Sequence, residues 1–398
     1  MTIDLAEWLN LAIRWLHLTA GIAWIGSSFY FVWLDNHLTP PASGEASGEL
    51  WSVHGGGFYH NQKYQVAPAQ MPDQLHWFKW EAYFTWISGF SLLVLIYYVG
   101  AQNFLIDPAK AALSPAEAVS IGVTALAAGW LFYDLLCRSP MGRNNRLLGL
   151  VWFAFLLASA ILLDRLFNAR AAYMHVGAMM GTAMVANVFF IIIPNQRKVV
   201  ADLIAGRTPD PALGKAAKQR SLHNNYMTLP VLFIMISNHY PMTYGAERPW
   251  LVLALLGLTG VAVRHVFNLR HRGQATGPTI AFALALAFAS VTYVSLEKTG
   301  VVATTGEAAS APNPTYADIR PILVTHCAAC HSLRPTNAAF TAPPLGVVLD
   351  SYDHVRTVAP RIRKVAVESE IMPLGNSTGM TSAERRTLGE WIAAGTPR

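Results

Sequence analysis

A series of long apolar runs is the feature that most limits what this chain can fold into. Taking about 20 apolar residues as one membrane-spanning helix, the 398-residue chain holds roughly eight runs, all before Glu297. Only 13% of its residues are charged, whereas a soluble globular protein carries about 25%. The pattern predicts an all-α polytopic membrane bundle of about eight transmembrane helices, at Leu9–Leu34, Ala82–Val99, Glu117–Leu136, Leu147–Phe167, Ala172–Pro194, Tyr226–Tyr240, Trp250–Leu269 and Pro278–Glu297.

The sixth run is the weakest of these, because its start is polar and it contains Pro230. Seven spans are the alternative, with that segment re-entrant or buried in protein rather than lipid. No short cleavable leader precedes the first run, which is expected to stay as a membrane helix.

The last part of the chain has a different composition and is expected to be soluble. Residues 301–314 are rich in Ala, Thr, Gly and Pro, as a flexible linker is. We therefore expect an integral membrane domain at residues 1–299, a linker at 300–314 and a small soluble domain at 315–398.

The soluble domain begins with the run C-A-A-C-H at Cys327–His331. Two thiols at this spacing form thioethers with the two vinyl groups of a haem, and the adjacent histidine ligates the iron. A zinc site would need about four ligands, and the chain has only one further cysteine, Cys137. The motif predicts covalent haem c held by Cys327 and Cys330, with His331 on the iron.

The second iron ligand is expected further along the chain. Met372, in the sequence I-M-P-L-G-N, has the Met-Pro context of small class I c-type cytochromes, which this domain resembles. Met380 and His354 are the alternatives, but Met380 lies beside a capping box, Thr381 to Glu384, that opens the last helix. Met/His ligation raises the reduction potential, which suits an electron acceptor.

Charge and haem attachment predict the same orientation. Bacteria attach haem c outside the cytoplasm, so an even number of spans places the N-terminus and the haem domain in the periplasm. The loops then placed inside carry most of the Lys and Arg, as the positive-inside rule requires: they are Cys137–Arg146, Asn195–Asn225 and Arg270–Thr276. Gly100–Ala116 and Pro241–Pro249, placed outside, carry one basic residue each.

Histidines in the spans are candidate ligands of a membrane haem b, because ionisable residues within a membrane are usually functional. His17 and His175 fall in the outer half of the membrane, beneath the haem domain. His265 falls near the inner face, where His76 could pair with it. A histidine bonded to a neighbouring helix is the alternative for each.

Two polar segments on the inner side form the predicted substrate site. HGGGFYHNQKY contains His54 and His60, and HNNYMTLP contains His223, Asn224 and Asn225. Amides, cations and aromatic rings suit a planar, anionic, hydrogen-bond-rich heterocycle. An ordinary folded loop with satisfied polar groups is the alternative.

Several function classes lack support in the sequence. No strand followed by G-x-G-x-x-G, no P-loop and no haem–copper ligand pattern is found. The formal net charge of +6 does not indicate nucleic-acid binding, because basic residues in a membrane protein usually mark cytoplasmic loops. The lipid membrane is the partner that the composition does predict.

The combination of RWLHLTAGIAWIGSSFYFVWLDN, LHWFKWEAYFTWISGFSLL, HVGAMMGTAMVANVFFIIIPNQRKVV, HNNYMTLPVLFIMISNHYP and the terminal CAACH and IMPLGNSTGMT resembles the bacterial membrane-bound, cytochrome c-linked urate oxidases. The resemblance implies an eight-helix domain fused to cytochrome c in the bacterial inner membrane. It also implies conversion of urate to 5-hydroxyisourate, with electrons passed to a downstream cytochrome or terminal oxidase rather than directly to oxygen. The first helix is similar to that of the membrane protoporphyrinogen oxidase, which supports His17 as a haem b ligand.

The resemblance does not identify the residues that bind urate, although His54, His60 and His223 are candidate bases with side chains that titrate near neutrality. Two other classes stay open: a haem-bearing quinol-to-cytochrome c electron-transfer protein, and a non-catalytic transporter or sensor with a redox tail.

Overall fold

The fold was obtained as a computed structural model that describes residues 5–42, 44–64, 66–68, 70–303 and 313–398. It is mostly helical, as expected. The membrane-domain elements are α1 (Leu5–His37), β1 (Gly48–His54), β2 (Gly57–Lys63), α2 (Trp80–Leu93), α3 (Ala101–Phe104), α4 (Pro115–Arg138), α5 (Asn145–Leu166), α6 (Ala169–Ala186), α7 (Ile193–Ile204), α8 (Pro211–Ser237), α9 (Pro241–Tyr244), α10 (Pro249–His271) and α11 (Gly277–Ala303).

Among the described residues, five helical segments are long and apolar enough to cross a membrane: Pro115–Arg138, Asn145–Leu166, Ala169–Ile204, Pro249–His271 and Gly277–Leu296. Helices also occupy the other three predicted positions, as α1, α2 and α8. Five such segments are consistent with a membrane protein, and the count of eight spans stays a prediction.

Local sequence signals explain where the long helices start. Ser114 and Glu117 form a capping box ahead of Pro115 at the start of α4, and the Asn144, Asn168 and Asp210 side chains accept backbone N–H groups at the starts of α5, α6 and α8. Such caps satisfy the unpaired N–H groups of the first helical turn.

Helix α8 covers the weakest of the predicted spans. It is one continuous helix from Pro211 to Ser237, it begins well before the predicted start, and it is not among the five candidate spans. Pro230 lies inside it, and Gly260 of α10 packs directly against the backbone nitrogen of Pro230. The missing side chain of Gly260 allows α10 to approach α8 where the proline interrupts the helical ladder.

One departure from the all-α prediction is a β-hairpin. Strands β1 and β2 pair antiparallel, with His54 opposite Gly57. Gly55 and Gly56 form the turn, with φ of 59° and 81°, the left-handed region that a tight hairpin turn needs. The glycine-rich segment is therefore a hairpin turn and not a phosphate-binding loop.

The C-terminal domain folds around a core of its own. Its helices are α12 (Tyr316–His326), α13 (Tyr352–Ile362) and α14 (Ser382–Ala393), and the core includes Ile319, Val355, Leu388 and Trp391. The predicted capping box of Thr381 and Glu384 is confirmed at the start of α14.

The boundaries of the linker stay a prediction. Helix α11 continues to Ala303, a few residues into the segment 300–314 that composition assigns to the linker. Residues 304–312 lie outside the described residues.

Candidate functional site

A buried ion pair joins α4 to α8 at the end of the bundle that the sequence predicts to face inward. A nitrogen of Arg220 lies 2.8 Å from a carboxylate oxygen of Asp134. The Arg220 side chain is only 4% exposed, and its guanidinium also lies over the Tyr133 ring. Charged groups inside a membrane bundle are rare and usually mark a functional region.

Asn187 connects this pair to the rest of the polar interior. It lies at the first residue of a π-helical segment, Asn187–Ile192, between α6 and α7. Its amide donates to Tyr133 and to Asn224 at 3.1 and 2.8 Å, and its oxygen accepts from Arg220 at 3.1 Å. Wider π-helical turns often occur at functional sites, and here one places a fully buried amide among three helices.

His223 extends the hydrogen-bond network to the end of the bundle that the sequence predicts to face inward. Its Nδ1 lies 2.8 Å from the Tyr133 hydroxyl and its Nε2 lies 3.2 Å from the Asn145 side-chain oxygen. Because the amide oxygen only accepts, Nε2 carries the proton and Nδ1 accepts from Tyr133. Both ring nitrogens of this predicted catalytic residue are therefore engaged with protein.

A second set of buried polar side chains, called here the Asn225 cluster, consists of Asn225, Arg264 and Asn268. The Asn225 oxygen accepts from Arg264 at 2.7 Å and from Asn268 at 3.3 Å. One terminal nitrogen of Arg264 and the side-chain oxygen of Asn268 are buried without a partner. Unsatisfied buried polar atoms are costly, although the Arg264 guanidinium also lies over the Phe29 ring at 3.8 Å.

A polar cavity of about 890 Å³ opens beside the Asn225 cluster. Asn225 and Asn268 form part of its wall, and further lining residues are Lys63, His76, Trp77, Gln196 and Arg272. Among the described residues that line it, His76 is the one histidine. Cations, amides and an indole around a space of this size match the requirements of a planar anionic heterocycle.

A second cavity, of about 880 Å³, lies on the opposite side of α8 and has mostly apolar walls. Its polar lining includes His223, Tyr226 and His265. The Tyr226 hydroxyl lies 2.7 Å from Nδ1 of His265, so the Nε2 of that imidazole is available to a ligand. His265 and His76 thus lie in the walls of different cavities.

The two histidines predicted in the hairpin segment lie apart from the buried network. His60 pairs with Glu49 at 2.9 Å and stacks on Trp51, with ring centroids 4.2 Å apart. His54 is exposed at the end of β1, next to the turn. The structure thus brings Asn224 and His223 together through Tyr133 and Asn187, and Asn225 into the cavity wall, but it brings neither hairpin histidine to them.

His17 and His175, the predicted haem b ligands of the outer half, are packed against glycines. The Nδ1 of His17 lies 2.9 Å from the Thr85 carbonyl, and a Cβ at Gly89 would lie 2.8 Å from the ring. His175 is fully buried, and a Cβ at Gly122 would lie 2.7 Å from its Nε2. That nitrogen also lies 3.3 Å from the Tyr98 hydroxyl. Haem b ligation by His17 and His175 stays a prediction.

The residues of the C-A-A-C-H run follow the end of α12. The Nδ1 of His331 donates to the Val347 carbonyl at 3.1 Å, which leaves Nε2 unengaged, as in metal-binding histidines. Leu345 is 83% exposed in the segment between α12 and α13.

The three candidates for the second iron ligand differ in burial. Met380 is buried in the core of the C-terminal domain, and Met372 packs against the same core together with Cys327. His354 is exposed in the first turn of α13. In the described part of the chain, no group of three or more His, Cys, Asp and Glu side chains is arranged to hold a metal ion.

A comparison with family sequence models places the membrane domain in a known family. The model of the urate oxidase N-terminal family matches residues 3–295. The chain belongs to this family. Searches of the curated proteins and of the solved structures found no match.

Family membership supports a urate-related oxidoreductase function for this urate oxidase family member. The matched region holds both cavities and the buried polar network, and it ends before the C-terminal domain. The residues available for urate chemistry are therefore those of the membrane domain.

Sequence reasoning missed several polar residues of this urate oxidase family member. They lie on α4, α8, α10 and the π-helical segment after α6, most of them within apolar runs: Tyr133, Asp134, Asn187, Arg220, Arg264 and Asn268. A signal was present, because a carboxylate or an arginine in an apolar run is a functional hypothesis by default. The pairings were not readable, since Asp134 and Arg220 are 86 positions apart.

Proposed function

We propose that the protein is a membrane-bound urate oxidase that converts urate to 5-hydroxyisourate and passes the electrons through its own haem c to the respiratory chain. The observation that carries this proposal is the family match over residues 3–295, because the same residues enclose a polar cavity suited to urate.

Urate is a planar anion with carbonyl acceptors and N–H donors. In the proposed site Arg272 and Lys63 attract the anion, since charge-assisted hydrogen bonds are the strong ones. Lys63 does so while paired with Asp35 of the same cavity wall at 2.7 Å. The unpaired oxygen of Asn268 accepts from a urate N–H. Trp77, in the same cavity wall, offers a face for the purine ring.

The reaction balances with water as the source of the new oxygen. One urate anion and one water give 5-hydroxyisourate, one proton and two electrons. The proton needs an acceptor, and His76, the histidine in the described cavity wall, is the proposed general base. His54, His60, His223 and Asn224 stay predictions, because their observed contacts do not place them on this cavity.

The fit of Cys327, Cys330 and His331 supports haem c, with Met372 as the proposed second ligand. A bound haem c supplies one-electron chemistry, so one urate requires two successive reductions. A downstream cytochrome or terminal oxidase takes these electrons, which agrees with the predicted position in a bacterial inner membrane and a periplasmic haem domain. The hydrocarbon core is about 30 Å thick, too far for one useful electron-transfer step from an inner-side site to haem c, so a haem b held by His17, His175 or His265 remains part of the proposal.

An anaerobic spectrum of the purified full chain, before and after addition of urate, tests the function. We expect urate to reduce the c-type haem, and His331→Ala to abolish electron output while the membrane domain stays folded. Dithionite that reduces the haem of a protein unaffected by urate would refute the proposal. A b-type absorption band would show in the same spectrum whether a second haem is present.

A second candidate function, quinol oxidation with haem c as acceptor, is favoured by the apolar cavity. His265 presents a free ring nitrogen there, which suits a carbonyl or hydroxyl of a lipophilic ring. Anaerobic haem reduction by a short-chain quinol, with no response to urate, would support this function over urate oxidation.

A further inference from the structure

The C-terminal domain packs on one end of the helix bundle, and this contact has no role in the chemistry described above. The membrane-domain side of the contact is the segment around α3, residues 100–107. The other side includes the turn that follows Met372, the proposed iron ligand. The two sides are distant in sequence, so their contact is a property of the folded chain.

Four observations describe this contact. The side-chain amides of Asn103 and Asn337 meet at 3.4 Å, and the Phe104 and Phe340 rings pack edge to face with centroids 6.2 Å apart. Ile371 packs against the core of the membrane domain. A second outer loop also takes part, because a Cβ at Gly245 would lie 2.8 Å from the Ser369 side chain.

Gly375 is the closest point of approach. It has φ of 57°, and a Cβ built on it would overlap the carbonyl oxygen of Ile106. Any side chain at this position would therefore push the turn after Met372 away from the membrane domain. Burial also raises the pKa of the neighbouring Asp107 carboxyl.

Ile106 continues the contact into the bundle. It forms a β-bridge with Phe167, and the Phe167 ring lies 5.1 Å from the His175 ring. Ile106 and Phe167 are almost completely buried, at 2% and 0% exposed. A close-packed series of residues thus runs from the turn after Met372 to the centre of the membrane domain.

We propose that residues 100–107 are the docking surface of the haem domain, and that electrons enter this domain across the contact between Ile106 and the Met372–Gly375 turn. The inference rests on the proposed function for the origin of the electrons. The docking itself does not depend on it. Electrons arrive singly, each reducing one ferric haem, and leave to the downstream cytochrome or terminal oxidase.

Gly375 and Gly379 offer a matched pair of variants. Both have positive φ, of 57° and 69°, but Gly379 has nothing within 4 Å of its Cβ position. Gly375→Ala and Gly379→Ala therefore carry similar backbone strain, and only the first meets the membrane domain. We expect Gly375→Ala to slow urate-driven haem reduction roughly tenfold or more, since small misplacements cost large factors in rate, and Gly379→Ala to leave it unchanged.

A cross-linking measurement reports docking without turnover. In a Cys137→Ser background, Asn103→Cys and Asn337→Cys are treated with a short bifunctional maleimide, and the linked peptides are quantified by mass spectrometry. We expect a high yield in the parent and with Gly379→Ala, and a strong loss with Gly375→Ala. The haem spectrum and dithionite reduction should be the same in all three.

The outcomes separate the two proposals. Absence of haem reduction by urate in the unaltered protein would refute the proposed function, and cross-linking would still decide the docking. Equal cross-linking and equal reduction rates in the two glycine variants would refute the docking proposal. If Gly375→Ala fails to incorporate haem, Asn103→Arg is compared with Gln102→Arg, since Gln102 is exposed on the same short helix.

Discussion

The polar residues inside the bundle differ in how many of their polar atoms have hydrogen-bond partners. Asn187 and Arg220 have partners on their polar atoms, so they act mainly in joining helices. Arg264 and Asn268 each keep one buried atom without a partner. A protein leaves such atoms unpaired at a cost, and Asn268, which lines the polar cavity, is the one of the two that a substrate in this cavity would reach.

Asn225 is the residue whose replacement tests this site most directly. Asn225→Ala removes the acceptor that holds the Arg264 and Asn268 side chains. Hydrogen bonds to charged groups contribute about 1.5–3 kcal/mol, so we expect KM for urate to rise on the order of tenfold to a hundredfold. The measurement is the urate dependence of the haem reduction rate.

Asn225→Asp controls for the loss of fold. Its carboxylate still accepts from Arg264 but repels the urate anion. We expect the folded helical content of the wild type and weak urate binding. An unchanged KM in both variants would place urate elsewhere.

A carboxylate in the C-terminal domain gives a pH-dependent prediction. The backbone N–H and hydroxyl of Thr381, and then His326, lower the pKa of Glu384 to about 2 from an ordinary 4.5. A lowered pKa in the folded state stabilises the domain above the unfolded pKa, and this contribution disappears as the pH falls through the folded pKa. Glu384→Gln should therefore be less stable than wild type at neutral pH.

The difference in the free energy of unfolding between wild type and Glu384→Gln is expected to stay constant above pH 4.5 and to disappear as the pH falls towards 2. Thermal unfolding followed at the haem absorption band measures it. Thr381→Ala is the companion variant, and loss of an N-cap costs about 1 kcal/mol. A gap between wild type and Glu384→Gln that does not change with pH would show that the carboxylate charge has no role.

At the scale of elements, local signals in the sequence were sufficient for most of the membrane domain. Apolar length and the caps at Ser114 and Asn144 mark α4 and α5 because both signals act within one helical turn. The hairpin was missed although it has a signal of its own: a Gly-Gly pair between strands containing Trp51, Phe58 and Tyr59. The composition of the segment did not predict the hairpin, because the same glycines also suggest a binding loop.

The contacts between elements could not be predicted in the same way. Asn225, Arg264 and Asn268 meet because α8 and α10 pack side by side, at a separation of about 40 positions in the chain. A single sequence predicts which face of each helix is buried, but not which helix packs against that face. The haem motif is the opposite case, because all its chemistry is within five consecutive residues.

The ion pair between α4 and α8 gives a prediction at this scale. Asp134→Asn leaves the buried Arg220 charge without its partner, which typically costs about 3–5 kcal/mol. The double variant Asp134→Leu with Arg220→Met removes both charges and should recover most of that loss. Denaturant unfolding in detergent, followed by helical content, measures both.

Arg138 provides an internal comparison, because it also pairs with Asp134 but is 64% exposed. Exposed pairs contribute little, so Arg138→Met should change the free energy of unfolding only slightly. If the double variant were as unstable as Asp134→Asn, the two charges would contribute to stability through other groups as well as through their own ion pair.

For the whole molecule, the two ends of the bundle have different chemistry. The C-terminal domain contacts the loops around Asn103 and Gly245, which the charge pattern assigns to the outer side. The polar cavity lies among segments that the same pattern assigns to the inner side, including Lys63, Gln196 and Arg272. Urate would then be oxidised on one side and electrons delivered on the other.

Membrane vesicles of known orientation test this arrangement. In inverted vesicles, where the inner face is outward, added urate should reduce haem c at once, while an added soluble cytochrome c should not be reduced. In right-side-out vesicles added urate meets the outer face and cannot cross the bilayer as an anion. Haem c therefore stays oxidised until the membrane is permeabilised. Haem absorbance followed after mixing gives both rates.

Permeabilisation is the control, because it should make the two preparations equal. The Asn225→Ala variant should lose the rapid phase in inverted vesicles without affecting reduction of its haem by dithionite. Rapid haem reduction by urate in sealed right-side-out vesicles alone would place the site on the outer side and reverse the assignment of the polar cavity. Electron transfer would then need to cover only the docked contact at Ile106, and the buried network around Asp134 would have a structural role.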